Sequence, residues 1–460
     1  MKIKWWYPAL LAIPAAGVMW YENTFTASAG RYNVWVFALS LVALIPLAQL
    51  SGDVTESLSE YLSPLVKGLL DASLSNVPEL AIGVLLFVQG ILNPIYQTDN
   101  FLVVRGLLIG SVINNVLFTL GIATFIGAYR HGRLRFDKEQ AAGYASMLAL
   151  AVVGLALPTL ATSFSRLTGG ALRSAETNVS LVVGGILIVS YIAYVGSSIF
   201  KWGEKPAPAA GAGEGEATVG RASAEHLTEH HAAEHAKHSE HGEHGEHGEG
   251  HEGHEGHKRH EEEIMTAARE ERMERERELE AKRLAEEKAE QERLERRKRS
   301  GGLFVLATLG FTIVTLITVG MCYTLTTVTE PVIQETALTP LSVGLIIFPI
   351  ICNFGEILEA IQLSWKRDME GAMEIAAGSS VQVPLFVAPL LVFIAYFLSL
   401  GGLTAPMTLI FPALELIVVG LVTFVYALVN LDGETSWLEG AQLLAFYAMI
   451  TVTAFALPGA

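Results

Sequence analysis

Long apolar runs alternate with short polar loops along this 460-residue chain, and one hydrophilic stretch interrupts them near the middle. Because about 20 apolar residues in a helix cross a bilayer, eleven of these runs are predicted to be transmembrane helices. Their approximate limits are 5–21, 32–50, 65–91, 101–128, 141–163, 177–200, 302–325, 338–363, 372–399, 405–429 and 439–458. The pattern therefore predicts an all-α integral membrane protein.

The predicted helices divide into one span, five spans, a hydrophilic insert and five further spans. Lys and Arg in short loops mark the inner side of a membrane. With the N-terminus inside, more of the basic loop residues fall in inner loops (Arg130, Arg133, Arg135, Lys138, Lys366 and Arg367) than in outer loops (Arg31, Arg166 and Arg173). On this count the insert is cytoplasmic, and the third and eighth spans run in opposite directions. The sequence thus predicts two inverted five-helix repeats, an arrangement typical of secondary transporters.

Four domains follow from this division: a first span in 1–30, a first repeat in 31–200, the insert in 201–300 and a second repeat in 301–460. The insert holds 18 of the 31 basic and 26 of the 47 acidic residues, so the rest of the chain is almost uncharged. Its first part is a low-complexity tract rich in His, Glu and Gly. Its second part, from Glu261 to Ser300, has the i,i+4 charge pairs of a solvated helix.

Two predicted spans share the pattern Asn-x-x-Glu, as Asn76 to Glu79 and as Asn353 to Glu356. A carboxylate at membrane depth costs about 2.5 to 3.5 kcal/mol on insertion scales, and such residues are usually functional. Residues three apart share a helix face, and carboxylate and amide oxygens are the donors that Ca²⁺ prefers. The two motifs predict a duplicated cation site. The plainer alternative is a proline kink beside a carboxyl group that stays protonated.

Prolines accompany both motifs. Pro78 has no backbone donor, so it should kink its helix and free the carbonyl oxygen of Leu74. Pro349 should disrupt the second helix four residues before Asn353. Glu359 lies one turn beyond the second motif, either as a further ligand or proton acceptor or as a vestibule residue.

A second pair of related segments follows the carboxylate motifs, Gly110 to Phe118 and Gly378 to Phe386. Each contains Gly-Ser, then amides, then Leu-Phe. Small residues alone could serve helix packing, but buried amides need partners or a ligand. The polar side chains expected to line an ion path are Ser111, Asn114, Asn115, Ser379 and Gln382.

The chain resembles the cation/proton exchanger (Ca²⁺/H⁺ antiporter) family of the calcium/cation antiporter superfamily. The resemblance rests on Gly68 to Ala72 before Asn76 to Leu80, on Gly344 to Ile346 before Asn353 to Glu356, and on Gly378 to Val383. Glu56 is similar to acidic residues that the family has in the same loop. Pro78-Glu79-Leu80 also resembles the sodium/calcium exchanger branch.

This resemblance implies a one-plus-five-plus-five helix fold and a secondary antiporter rather than an enzyme. Glu79 and Glu356 would bind Ca²⁺ or Mn²⁺ and protons in alternation, with Asn76, Asn353 and Pro78 beside them. No cofactor is expected, since Ca²⁺ is the transported substrate. The membrane would be the plasma membrane in a bacterium and the vacuolar membrane in a fungus or plant, and the sequence is compatible with a homo-oligomer.

Features of the insert are compatible with other functions. Twelve of the thirteen histidines lie between His226 and His260, and imidazole suits Zn²⁺, Ni²⁺ or Cu²⁺ better than Ca²⁺. This tract favours a transition-metal transporter or sensor, although an unstructured linker explains it equally simply. A Na⁺-coupled exchanger is a further alternative, and so is a membrane-anchored scaffold that binds a partner through the charged insert. Nucleic-acid binding is not indicated, because no basic stripe is interleaved with aromatic residues.

Overall fold

The computed structural model of the chain describes residues 7–26, 30–59, 61–62, 76–168, 173–200, 301–402 and 406–456. The chain separates into two units, Met1–Ile199 with Gly301–Ala460, and Phe200–Ser300. All contacts reported below lie within the first unit. The predicted insert, with its histidine tract and charged helix, lies outside the described residues.

Helices make up nearly all of the first half of the described chain. A 3₁₀ helix at Tyr7–Leu11 precedes the first α-helix, and a second one occupies Pro94–Tyr96. The α-helices are α1 (Ala12–Phe25), α2 (Asn33–Ser59), α3 (Val77–Leu92), α4 (Gln97–Ile113), α5 (Leu120–His131), α6 (Lys138–Thr168) and α7 (Arg173–Phe200).

The second half is built in the same way. Its helices are α8 (Gly301–Glu335), a helical turn at Pro340–Ser342, α9 (Phe348–Cys352), α10 (Phe354–Trp365), α11 (Met369–Gln382), α12 (Ala388–Leu400), α13 (Ala413–Val429) and α14 (Trp437–Ala456). The axis bends by 54° between Pro340–Cys352 and Phe354–Trp365.

Among the described residues, seven helices are long and apolar enough to cross a membrane, or eight if the bent pair is one span. Two shorter apolar helices, Val77–Leu92 and Ala413–Val429, coincide with parts of two predicted spans. Apolar side chains cover the outer faces, as Ile186 and Phe424 show at 57% and 60% exposure. The all-helical, multi-pass membrane fold is therefore confirmed. The count of eleven stays a prediction, since the segment before Asn76 in the third span lies outside the described residues.

In the described ranges, three π-helical segments interrupt the membrane helices, at Asn114–Thr119, Val343–Ile347 and Val383–Val387. Proline explains two of them in part. Pro349 and Pro384 lack the N–H that would bond the carbonyl four residues earlier, so the regular ladder is broken nearby. π-Helical turns often occur at functional sites, and here they lie in or next to the polar segments that the sequence singled out.

Glycines let two helices from different halves approach closely. A Cβ atom added to Gly344 would lie 2.4 Å from the carbonyl oxygen of Val103. One added to Gly110 would lie 2.3 Å from the carbonyl oxygen of Leu345, and one at Gly106 would stand 3.1 Å from the backbone of Gly344. No side chain fits between α4 and the Val343–Ile347 segment at these points. The small-x-x-x-small spacing of Gly106 and Gly110 is a common device for such packing.

A two-stranded antiparallel sheet joins loops of the two halves, which the sequence analysis did not predict. β1 (Leu134–Arg135) pairs with β2 (Glu434–Thr435), and the guanidinium of Arg135 lies 2.9 Å from the carboxylate of Glu434. Beside the sheet, the His131 ring contacts the carbonyl oxygen of Trp365 at 2.9 Å. Three predicted inner loops therefore lie on one face of the protein.

Candidate functional site

Asn76 and Asn353 are the residues that immediately precede the two helices carrying the motif glutamates. Their backbone angles are nearly the same, with φ −98° and ψ 16° at Asn76 and φ −91° and ψ 13° at Asn353. Each precedes a helix whose third residue is a glutamate, Glu79 in α3 and Glu356 in α10. Both carboxyl groups thus lie at helix N-termini, where the helix dipole favours negative charge.

Pro78 and Pro349 were expected to disrupt the two motif helices, and the structure agrees with this expectation only in part. Pro78 lies in the first turn of α3, where its missing N–H costs no hydrogen bond, and Leu74 lies outside the described residues. In the second half the bend falls at Asn353 itself. The carbonyl oxygen of Pro349 accepts from the Asn353 backbone N at 3.0 Å and from its Nδ2 at 2.8 Å. The side chain of Asn353 thereby anchors its own break.

Each motif pairs with the polar segment of the opposite half. Asn76 Nδ2 donates to Gln382 Oε1 at 2.8 Å. Asn353 Nδ2 also lies 3.3 Å from Ser111 Oγ, and Asn115 Nδ2 lies 3.3 Å from Asn353 Oδ1. Asn115 Nδ2 also donates to Glu356 Oε2 at 3.1 Å. The four predicted segments therefore meet at one place, in a crosswise arrangement between the halves.

The two carboxyl groups have different surroundings. Glu79 is fully buried, and neither of its carboxyl oxygens has a hydrogen-bond partner among the described residues. Glu356 accepts from Asn115 and is a hydrogen-bond partner of Ser379, and it lines an open cavity. The two carboxyl groups are close enough to interact electrostatically. A buried carboxylate without partners is costly, so Glu79 requires a proton or a cation.

A cavity of about 640 Å³ leads to this cluster from one face of the protein. Its deep end is lined by Pro78, Cys352, Glu356, Ser379 and Gln382. Its mouth is lined by the exposed side chains of Asp53, Glu359 and Gln362, and Glu374 also lines its wall. Among the described residues, the lining contains four carboxylates and no Lys or Arg. Such a cavity attracts cations.

The remaining predicted residues are located as follows. Ser111, Asn114 and Asn115 are fully buried, and Asn114 donates to Asn115 at 3.2 Å. Gly355 lies against α2, where Gln49 Nε2 donates to its carbonyl oxygen at 3.3 Å. Glu359 is exposed and lines the same cavity as Glu356, close enough to interact with it electrostatically. Residues 63–75, which include Asp71 and Ser75, lie outside the described part.

Several residues that line the cavity were not predicted from the sequence, including Gln49, Asp53, Thr318 and Glu374. Glu374 carried a usable signal, because it is an acidic residue inside the predicted span 372–399. The same signal marks Arg105, Glu330 and Glu415, which lie in or near apolar runs. Thr318 carried none, since threonine is common in membrane helices.

The arrangement can hold a hard cation. Carboxylate, amide and hydroxyl oxygens are the ligands that Ca²⁺ takes, usually six to eight of them with water included. No group of three or more His, Cys, Asp or Glu side chains that could hold a metal ion occurs in the described ranges. A cation here would depend on two carboxylates supplemented by neutral oxygens, which is a weak, reversible kind of site rather than a permanent metal centre.

Comparisons with known proteins agree with this arrangement. The profile of the family described as sodium/calcium exchanger protein matches residues 32–200 and 306–456. The chain is 27% identical to the Ca²⁺/H⁺ antiporter of Synechocystis sp., covering 91% of this chain and 90% of that protein. It is 26% identical to the vacuolar calcium ion transporter of Schizosaccharomyces pombe, and the match covers 92% of this chain and 79% of that protein. The solved structure of native YfkE matches 98% of this chain and 100% of its own, with a TM-score of 0.65 at 21% identity.

Proposed function

Because the chain belongs to the sodium/calcium exchanger protein family, a family of transporters and not of enzymes, we propose that it exchanges Ca²⁺ for protons across a membrane. Relatives that match nine-tenths of the chain carry this activity in their names. The proposal fits the motif resemblance to cation/proton exchangers.

The contact of each Asn-x-x-Glu motif with the polar segment of the opposite half supports this function best. It brings Glu79 and Glu356 into one polar cluster that is otherwise surrounded by apolar helices. Two carboxylates can hold one Ca²⁺ or two protons, and either occupancy leaves the cluster nearly neutral. The empty, doubly ionised state is costly in these surroundings. Only the site occupied by Ca²⁺ or by protons should therefore switch from one side of the membrane to the other. This requirement couples the transport of the two ions without covalent chemistry.

Roles follow from position in this proposal. Glu79 and Glu356 bind the cation or protons, and Asn76 and Asn353 supply amide oxygens. Pro78, Ser111, Asn114, Asn115, Ser379 and Gln382 line the path or orient these groups. Glu359 acts as a vestibule residue with Asp53 and Glu374, because it lies at the cavity mouth. Pocket residues from both halves are needed, so neither half alone would form the site.

We also propose the inverted one-plus-five-plus-five topology for the membrane helices. Loops that the charge bias assigns to one side, those at His131, Trp365 and Glu434, contact one another on the face with the cavity mouth. Loops assigned to the other side also meet, since Asn33 Nδ2 donates to Glu335 Oε1 at 2.6 Å. Both sets of contacts join loops that this topology assigns to the same side of the membrane, which supports the proposal.

A cation panel in proteoliposomes tests the function. The purified full chain should take up Ca²⁺ when an outward-directed proton concentration difference is imposed, and uptake should stop when a protonophore removes the difference. Membrane voltage and pH difference are set independently, and Mn²⁺, Zn²⁺ and Na⁺ compete in turn. Uptake that depends on a Na⁺ gradient instead, or that favours Zn²⁺, would replace the proposal with one of the alternatives.

Removal of the insert gives a second prediction. Deletion of residues 205–298 should leave Ca²⁺ exchange within about twofold of the full chain, because the cavity and both motifs lie outside the insert. Initial uptake rates in matched proteoliposomes measure the effect. Exchange that is undetectable in both proteins, together with loss of a binding partner from the deletion, would favour the scaffold function instead.

A further inference from the structure

A row of polar side chains runs along α8 at four-residue spacing. It consists of Thr318, Cys322, Thr326 and Glu330, which are only 3%, 0%, 3% and 7% exposed. Side chains four apart form one ridge on a helix surface. From Thr318 to Glu330 the ridge extends about 18 Å. We call these four residues the α8 row.

The α8 row connects the cavity to the opposite face. Thr318 lines the cavity, and Cys322 lies close enough to Glu79 to interact with it electrostatically. Glu330, at the far end, interacts in the same way with Asp99 in the first turn of α4. The next turn of α8 ends at Glu335, which contacts Asn33 on the face opposite the cavity mouth. The row thus starts in the open cavity, passes the Glu79 carboxyl group and ends near the face opposite the cavity mouth. We call this opposite face the closed face.

Ordinary helix packing explains the threonines of the row but not the glutamate. Thr318 Oγ1 donates to the carbonyl oxygen of Val314 at 2.9 Å and Thr326 Oγ1 to that of Tyr323 at 3.2 Å, as is common inside helices. Glu330 Oε1 accepts from Gln334 at 3.1 Å, but Oε2 has no hydrogen-bond partner in the described part of the chain. Acidic side chains buried within membrane helices usually serve a function, so Glu330 is a candidate functional residue.

We propose that the α8 row lines the closed half of the ion path and that Glu330 attracts the divalent cation at its closed-face end. The inference rests on the proposed function, because it assigns a second entrance to the site at Glu79. The open cavity already provides acidic residues at one mouth. Exchange needs access from the other face as well, and Glu330 with Asp99 supplies the matching negative charge there.

Sided transport measurements test this assignment. Ca²⁺ exchange is measured in everted and in right-side-out membrane vesicles carrying the full chain, and the Ca²⁺ concentration for half-maximal rate is determined from each face. Glu330→Gln should raise that concentration about tenfold from the closed face, because one carboxylate interaction is lost, and leave it unchanged from the cavity face. Glu335→Gln, an exposed neighbour at the same helix end, is the matched control and should alter neither value.

The outcomes separate the two proposals. The role of the α8 row would be overturned if Glu330→Gln and the unchanged protein had equal Ca²⁺ concentrations for half-maximal rate, or if the substitution shifted this concentration equally from both faces. Either result would leave the proposed antiport intact. Absence of exchange in the unchanged protein would instead count against the proposed function.

A measurement without substitution covers the case in which Glu330→Gln does not fold. A membrane-impermeant thiol reagent is applied from one face during turnover, and mass spectrometry distinguishes the two cysteines. Cys322 should be modified from the closed face, whereas Cys352, which lines the cavity, should be modified from the cavity face only. Modification of Cys352 from the cavity face without any modification of Cys322 from the closed face would contradict the proposal.

Discussion

Replacing Glu79 with glutamine will abolish coupled Ca²⁺ exchange while the protein still inserts and folds. Glutamine keeps the shape of a protonated glutamic acid, so the buried pocket around the side chain is undisturbed. It removes the charge that would face the cation, and the loss of one partner from a buried pair of opposite charges costs about 3 to 5 kcal/mol. At 1.4 kcal/mol per tenfold, the rate at limiting Ca²⁺ should fall by about a hundredfold or more.

Glu356→Gln should have an effect of the same size, since the cluster needs both charges to balance one Ca²⁺. The exposed Glu370 in the first turn of α11 offers a matched control, and Glu370→Gln should transport normally. Initial Ca²⁺ uptake is measured in proteoliposomes with equal protein content and an imposed pH difference. Normal uptake by Glu79→Gln or by Glu356→Gln would refute the two-carboxylate site.

Gly110→Ala should destabilise the protein strongly and stop transport. The added methyl group would lie 2.3 Å from the Leu345 carbonyl oxygen and 2.6 Å from Pro349 Cγ, both in a segment that cannot easily move. Overpacking of this kind usually costs about 1 to 3 kcal/mol and occasionally more. The crossing lies next to Ser111 and to the Pro349 carbonyl that holds Asn353, so its displacement would also disturb the site.

The contrast with another glycine makes this prediction specific. A Cβ atom at Gly320 in α8 would meet nothing within 4 Å, so Gly320→Ala should be tolerated or slightly stabilising. Thermal unfolding of both purified variants in the same detergent, followed by uptake assays, checks the pair. An unfolding midpoint for Gly110→Ala within a degree or two of that for Gly320→Ala would show that the crossing is more deformable than its geometry indicates.

Hydropathy and buried charge predicted the coarse features of this protein well. The long apolar helices and the two Asn-x-x-Glu motifs could be read from residue spacing, because burial in lipid imposes strict rules on sequence. The division around the central insert stays a prediction. Ser111, Asn115, Ser379 and Gln382 were singled out for the same reason, since amides and hydroxyls inside a membrane require partners. The structure brings these side chains together around Glu356 and Asn76.

Other features depend on three-dimensional contacts that no local pattern carries. At the bend, the Asn353 side chain donates to the Pro349 carbonyl oxygen, a contact that the position of the proline alone did not reveal. The strands at Leu134–Arg135 and Glu434–Thr435 are too short for a detectable alternation. The unequal exposure of Glu79 and Glu356 reflects which face of the protein is open, and a sequence repeated in both halves cannot encode that difference.

The small sheet between β1 and β2 limits how the protein can rearrange. Its backbone hydrogen bonds and the contacts of Arg133 and Arg135 with Glu434 tie α5 and α6 to α13 and α14 at their ends. Separating these ends would break several bonds at once, each worth about 0.5 to 1.5 kcal/mol net. Any rearrangement of these four helices that leaves the sheet intact must therefore take place in the parts of the helices away from it.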